Sequence, residues 1–228
     1  MRKAVMLGMV TFGLVLLGGT SIASTVYYVA GDNGDDASDG KSWIAAVATV
    51  AKALHMAETG DEIWVKAGVY RPTDDTDRTK SFVMKDDVDL YGGFDGTETE
   101  RAERDWTNHV TILCGDIGVE DDHTDNSYHV VIGATARIDG FTIRNGYADG
   151  AGTQAYGAGM YSVGAGPVAV HCIFTNNTTI SGRGGGVYWA QGDDATREIG
   201  WYNCTFIDNK AADLNLTGGA AGGGMYLR

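Results

Sequence analysis

Apolar and polar positions in the second half of the chain fall into a repeated phrase. Gly184-Gly185-Gly186-Val187-Tyr188 is followed by Asn203-Cys204-Thr205-Phe206-Ile207-Asp208-Asn209. The same two-part phrase stands earlier as Gly157-Ala158-Gly159-Met160-Tyr161 with His171-Cys172-Ile173-Phe174-Thr175-Asn176-Asn177, and it begins again at Gly222-Gly223-Gly224-Met225-Tyr226. A degenerate copy of the second part is Gly140-Phe141-Thr142-Ile143-Arg144-Asn145-Gly146. Aligning Ile143, Phe174 and Phe206 gives steps of 31 and 32 residues, a period that marks a solenoid. Cys204 and Phe206, two apart, share one face of a strand while Thr205 and Ile207 take the other. At a rung spacing of about 4.8 Å, Phe141, Cys172 and Cys204 form one inward column and Ile143, Phe174 and Phe206 a second. Gly146, Asn177 and Asn209 align at a turn, where Gly and Asn accept left-handed backbone. The glycine triplets read as tight corners between walls.

The first half carries other periods. Thr25 to Val29 is a strand. After Trp43, residues 44–58 read as the one convincing helix, with Val47, Val50, Ala51 and Leu54 on a stripe and Gly60 as its stop. An amphipathic helix ahead of a solenoid covers the open end of the apolar columns. Before all this, Arg2 and Lys3 precede an apolar run from Ala4 to Leu17, and Ser21-Ile22-Ala23 supplies small residues for cleavage, so residues 1–23 read as a secretory signal. The run is too short for a membrane span, and no transmembrane segment is expected after cleavage. The expected organisation is signal 1–23, cap and first rungs 24–70, and β-helix coils 71–228. Because Met225-Tyr226 opens a coil at the end of the sequence, further coils are expected downstream.

The formal charge is −13, and it becomes −15 once the leader and its two basic residues are removed, which makes nucleic acid an unsuitable partner. Thirty-four glycines against two prolines fit a chain rich in turns. Three cysteines do not make a disulfide framework. Cys172 and Cys204 on adjacent rungs come within disulfide range, but parallel side chains there make them buried small hydrophobes.

Tyr27-Tyr28-Val29, the acidic loop ending Asp39-Gly40, Lys52-Ala53-Leu54 and the segment from Gly60 to Tyr70 resemble the N-terminal cap and first rungs of the pectate-lyase-like right-handed parallel β-helix superfamily. The continuation, Leu90 to Glu98, Arg104-Asp105-Trp106, Thr111 to Asp116, Asp125 to Val131 and Asp139 to Ile143, is similar to large bacterial surface proteins with repeats like those of polymorphic outer-membrane proteins. The resemblance covers essentially all of the mature chain. It implies an all-β right-handed parallel β-helix with an N-terminal capping α-helix, secreted or displayed at the bacterial surface and outer-membrane-associated, with an adhesin-like role. It specifies architecture more than chemistry, because one fold hosts many functions.

Candidate chemistry follows two lines. A binding protein would present aromatics to a polysaccharide or a surface partner, and Tyr188, Trp189, Trp201 and Tyr202 are the candidates, with rung packing as their other role. The alternative is a polysaccharide lyase, which needs a basic residue to take a proton and a cation to acidify it. Lys66, Arg144 and His171, with His129, are the residues available, and none forms a constellation in sequence. His129 and His171 are expected on strands, facing outward. The carboxylates Asp32, Asp35, Asp36 and Asp39, and in a second loop Asp121, Asp122 and Asp125, are calcium candidates, since hard cations need several oxygens, though their spacing is not that of an EF-hand. Solvated loops are the other reading of both.

Overall fold

The computed structural model describes residues 24–192, 199–212 and 221–228; the signal segment expected at residues 1–23 lies outside them. Every paired strand is parallel, and the strands form four walls. One coil runs through Arg137–Asp139 in the first wall, Phe141–Arg144 in the second, Tyr147–Ala148 in the third and Met160–Val163 in the fourth. The next takes Val168–Val170, Ile173–Thr175, Thr178–Ile180 and Val187–Ala190, and the one after takes Gly200–Tyr202, Thr205–Ile207, Lys210–Ala212 and Met225–Leu227. Earlier coils add Val26–Val29, Glu62–Lys66 and Asp89–Phe94 to the first wall, Gly68–Tyr70 and Thr111–Cys114 to the second, and Phe82–Val83 and Val131–Ile132 to the fourth. This is an all-β right-handed parallel β-helix, in the sense that right-twisted strands impose on parallel crossovers.

The register places the expected columns in line. Phe174 pairs with Ile143 on one side and Phe206 on the other, and Ile143 continues to Leu113 and Tyr70. The Phe174 and Phe206 rings stack at 4.9 Å with planes 6° apart. Phe141, Ile143, Cys172 and Phe174 are buried in one apolar core with Val187, Met160 and Ile138. Cys114, Cys172 and Cys204 are free thiols, and burial pushes the Cys172 thiol up. The glycine triplets are corners: Gly184 has φ +69°, and a Cβ on Gly186 would meet the Gly224 carbonyl oxygen at 2.3 Å, so rung backbones approach too closely for any side chain.

Two expectations are corrected. The left-handed turn residues are Asn145, Asn176 and Asp208, with φ 62°, 54° and 53°, one position before Gly146, Asn177 and Asn209. Asn177 and Asn209 instead form a ladder inside the turn. Asn177 accepts from the Gly146 amide through Oδ1 and donates through Nδ2 to the Ile143 carbonyl and to Asn209 Oδ1, each at 3.0 Å. Asn209 Nδ2 donates to the Phe174 carbonyl at 2.8 Å. The side chains replace the inter-rung backbone bonds that a turn cannot make.

The helix is the second correction. It spans only Val50–Met56 (α1), with Thr49 as N-cap accepting from the Lys52 amide. Residues before it are drawn to the edge of the first wall: Val47 bridges Val29 in parallel and bonds the backbone of Tyr28 and Ala30. An edge strand with unpaired amides takes the neighbouring chain as cover in preference to letting it coil. The buried face of α1 is Val50, Ala53 and Leu54, continued by Ala57, while Ala51 is exposed. That face joins the apolar core beside Val29, Ile63 and Phe82, so α1 covers the end of the columns.

Candidate functional site

The third wall starts late, and this opens a cleft on the surface. After Cys114 the chain leaves the second wall and makes an excursion through Asp116 to Ser127 with no strand. Only the next coils supply third-wall strands. The excursion therefore overhangs the turn between second and third walls and encloses a cleft of about 470 Å³. Asp116, Asp121, His123 and Asn126 line it from the excursion, and Asn145, Tyr147, Asn176, Thr178, Asp208 and Lys210 line it from three successive coils.

Long-range cations fix the overhang. Arg71 Nε donates to the Asp116 carbonyl at 2.6 Å, and Arg78 Nε donates to the Asn126 carbonyl at 2.7 Å. Arg78 also binds the Tyr147 carbonyl at 2.8 Å and the Asp149 carboxylate at 2.7 Å, and lies 4.2 Å over the Tyr128 ring. Asn126 Nδ2 donates to the Asn145 carbonyl at 2.7 Å. With the backbone so held, Asp116 (6% exposed) and Asn126 (4% exposed) each keep one buried side-chain oxygen, Oδ1, without a hydrogen-bond partner. Native interiors satisfy nearly all such atoms, so these acceptors mark where donors or a cation would be bound. His123 meets Tyr147 edge-on at 4.8 Å.

A second constellation lies between the first and second walls. Asp139 is buried and forms an ion pair with buried Arg104 at 2.8 Å; Arg137 approaches it at 3.6 Å and His171 Nδ1 at 3.2 Å. His171 stacks on Trp106 at 4.3 Å, and Asn203 Nδ2 faces its Nε2 at 3.3 Å. The Arg104 guanidinium also lies over the Trp106 ring, 4.8 Å from its centroid. A groove of about 290 Å³ runs past Trp106, His171, Asn203 and Thr205. Contrary to expectation, His171 lies on no strand but at a turn with φ 50°, a backbone cost that only a fixed surrounding sustains.

The remaining sequence candidates are dispersed. Lys66 pairs with Asp32 at 2.7 Å, and this hydrogen bond holds the Asp32 carboxyl below its ordinary range. Asp36 accepts from the Ala48 and Thr49 amides and the Thr49 hydroxyl, fastening the approach to α1. Asp35 and Asp39 accept from amides two residues on, and Asp122 does the same from Thr124. Asp125 accepts from the Val119 amide at 2.8 Å. Arg144 sits at the end of its second-wall strand, half-buried, with Nε unpaired. Contrary to expectation, His129 lies on no strand and does not face solvent: it is buried and stacked on Tyr161 at 5.0 Å, and burial lowers its pKa. Tyr188 belongs to a ladder with Tyr161 and Tyr226, at 5.6 Å to each. Trp189 Nε1 donates to the Ala165 carbonyl at 2.8 Å, Trp201 packs against the core, and Tyr202 is exposed. Of all these only Asp121 lines the cleft. Asp116, Asn126 and Tyr147 were not singled out by sequence, because they meet only through the overhang. Elsewhere, Asp95, Glu98 and His109 bring ligand atoms within 4.8 Å of one another, but Glu98 is taken up by the amides of Asp95, Gly96 and Thr97.

Four parallel walls, inward columns, an asparagine ladder and a polar cleft across the coils define a parallel β-helix protein. The chain belongs to the family described as "Protein of unknown function (DUF1565)", which matches residues 32–215 and is β-helix-like. No curated protein and no solved structure matches it. No helix among the described residues is long and apolar enough to cross a membrane.

Proposed function

We propose that the chain is a secreted or surface-displayed β-helix protein, related in kind to adhesin-like passengers with polymorphic outer-membrane-protein repeats, and that the cleft beneath the overhang binds a hydroxyl-rich glycan. The leader pattern at Arg2-Lys3 and the following apolar run support export. The observation that carries the binding reading is the pair of buried acceptors without partners, Asp116 Oδ1 and Asn126 Oδ1, in a polar cleft of about 470 Å³. Sugar hydroxyls are donors of the kind those oxygens lack. Asp116, Asp121 and Asp208 outnumber Lys210 in the lining, so a neutral glycan suits the cleft better than a polyanion. Titration calorimetry against a panel of neutral and acidic oligosaccharides tests this. Tyr147→Ala and Lys210→Ala should each weaken the best ligand by roughly tenfold, about 1.4 kcal/mol. Unchanged affinity in both variants, or no binding by any glycan, would refute it.

The second reading, a polysaccharide lyase, is favoured by one observation: His171 bonded to the buried Asp139 beside an open groove, an arrangement that orients a ring for proton abstraction. Release of unsaturated product from uronate polymers, abolished in His171→Ala, is its test.

A further inference from the structure

The excursion from Asp116 to Ser127 carries carboxylate and amide oxygens that the protein itself leaves unmatched. Asp116 Oδ1, Asp125 Oδ1 and Asn126 Oδ1 are all buried and without partners. The second oxygen of Asp116 receives only the distant Asp121 amide at 3.4 Å. Among the described residues neither Asp116 nor Asp121 has an ion-pair partner, although Lys210 lines the same cleft. Burying a carboxylate without a countercharge is costly, and the usual remedies are a basic side chain or a metal ion. Two arginines that reach the excursion, Arg71 and Arg78, direct their Nε to its carbonyls and not to its carboxylates.

We infer that the excursion is a binding site for a hard divalent cation, calcium by preference, held by Asp116, Asn126 and Asp121 where they line the cleft. Each supplies an oxygen, the donor such ions require, and calcium accepts an irregular set completed by carbonyls and water. Magnesium, which demands near-octahedral geometry, fits a loop-built set less well. Asp121 sits at the rim with φ 65°, and its exposed side chain closes the set from the solvent side. The site differs from the calcium reading of the sequence in its centre: Asp122 turns to Thr124, and the buried Asp116 and Asn126 take the leading part. The site shares its cleft with the glycan reading and therefore rests on the same overhang, but its probe is the metal alone.

Terbium luminescence sensitised by Tyr147, with displacement by calcium and then magnesium, measures binding directly in the intact chain. Calcium should bind with one ion per chain, at an affinity within about 10⁻⁵ to 10⁻³ M as in sensor and extracellular sites. Asp116→Asn and, as a rim variant that leaves the interior untouched, Asp121→Ala should each weaken it by at least about tenfold, with an unchanged circular-dichroism spectrum showing that both fold. Absence of calcium binding several-fold above that range would overturn the inference and assign the oxygens to water. Binding that survives both substitutions would overturn it equally. Glycan affinity measured with and without chelator separates the two ideas: a glycan bound without any metal binding sinks only the cation site, and a metal bound without any glycan sinks only the glycan reading.

Discussion

Replacing Asn177 by Ala should be among the most damaging single changes available in the turns. The side chain is fully buried and serves as acceptor for the Gly146 amide and donor to the Ile143 carbonyl, both at 3.0 Å. Both partners are themselves buried, so truncation leaves two backbone groups with no water to turn to. A stranded buried group costs about 1–3 kcal/mol, which gives roughly 2–6 kcal/mol for the pair, against a total stability of about 5–15 kcal/mol for an ordinary domain. Asn209→Ala should cost less, because Asn209 is half-buried and solvent can replace part of what is lost. Glycine separates the ladder from turn strain. Asn176 has φ 54°, so Asn176→Gly should be neutral or mildly stabilising, whereas Asn177→Gly should cost as much as the alanine change or more. Urea unfolding followed by circular dichroism, with midpoint and slope compared across the four variants, is the measurement. An Asn177→Ala cost below about 1 kcal/mol, or the opposite order for the two glycine variants, would refute the assignment.

Phe174→Ala, at a fully buried position in the second-wall column, should lose about 3–5 kcal/mol; Phe206→Ala, half-buried on the next rung, should lose visibly less in the same unfolding assay. His129 should make the fold acid-sensitive. Burial lowers its pKa below the ordinary 6.5, so the unfolded chain binds the proton more readily; this stability is complete above about 6.5 and is lost as pH falls from there through the folded value. His129→Gln should remove that dependence, and a stability difference between variant and parent that stays constant from about pH 8 to about pH 5 would contradict it.

How much of this could be read from residues alone depended on the range of the cause. The columns were legible because alternation is a property of each strand, and Ile143, Phe174 and Phe206 keep the same offset from their turns. The turn itself was misread by one position, since Asn-Asn at 176–177 offers the same residue for two tasks. Asparagine tolerates a left-handed backbone and also makes a good ladder member, and only the backbone decides which does which. The helix came out shorter because the edge of the first wall competes for Val47, a demand invisible in helical periodicity. The cleft was not legible at all. It depends on Arg78 reaching residues 48 and 69 positions further along, and on an excursion that reads as any polar loop. Asp121 was picked out for its charge, but the buried Asp116 and Asn126 that give it company were not.

The direction of the hydrogen bonds has a mechanical consequence. They join one coil to the next and so lie along the solenoid axis, while the covalent chain winds around it. Tension applied between the two ends of the stack therefore loads the bonds of a single coil at a time, and they open like a zipper. Tension across a wall, along its strands, must shear many bonds together. A stack pulled end to end should thus lengthen in steps, each freeing one repeat of 31 or 32 residues. That is about 100 Å of slack per coil at full extension, and the remaining coils stay wound while it is taken up.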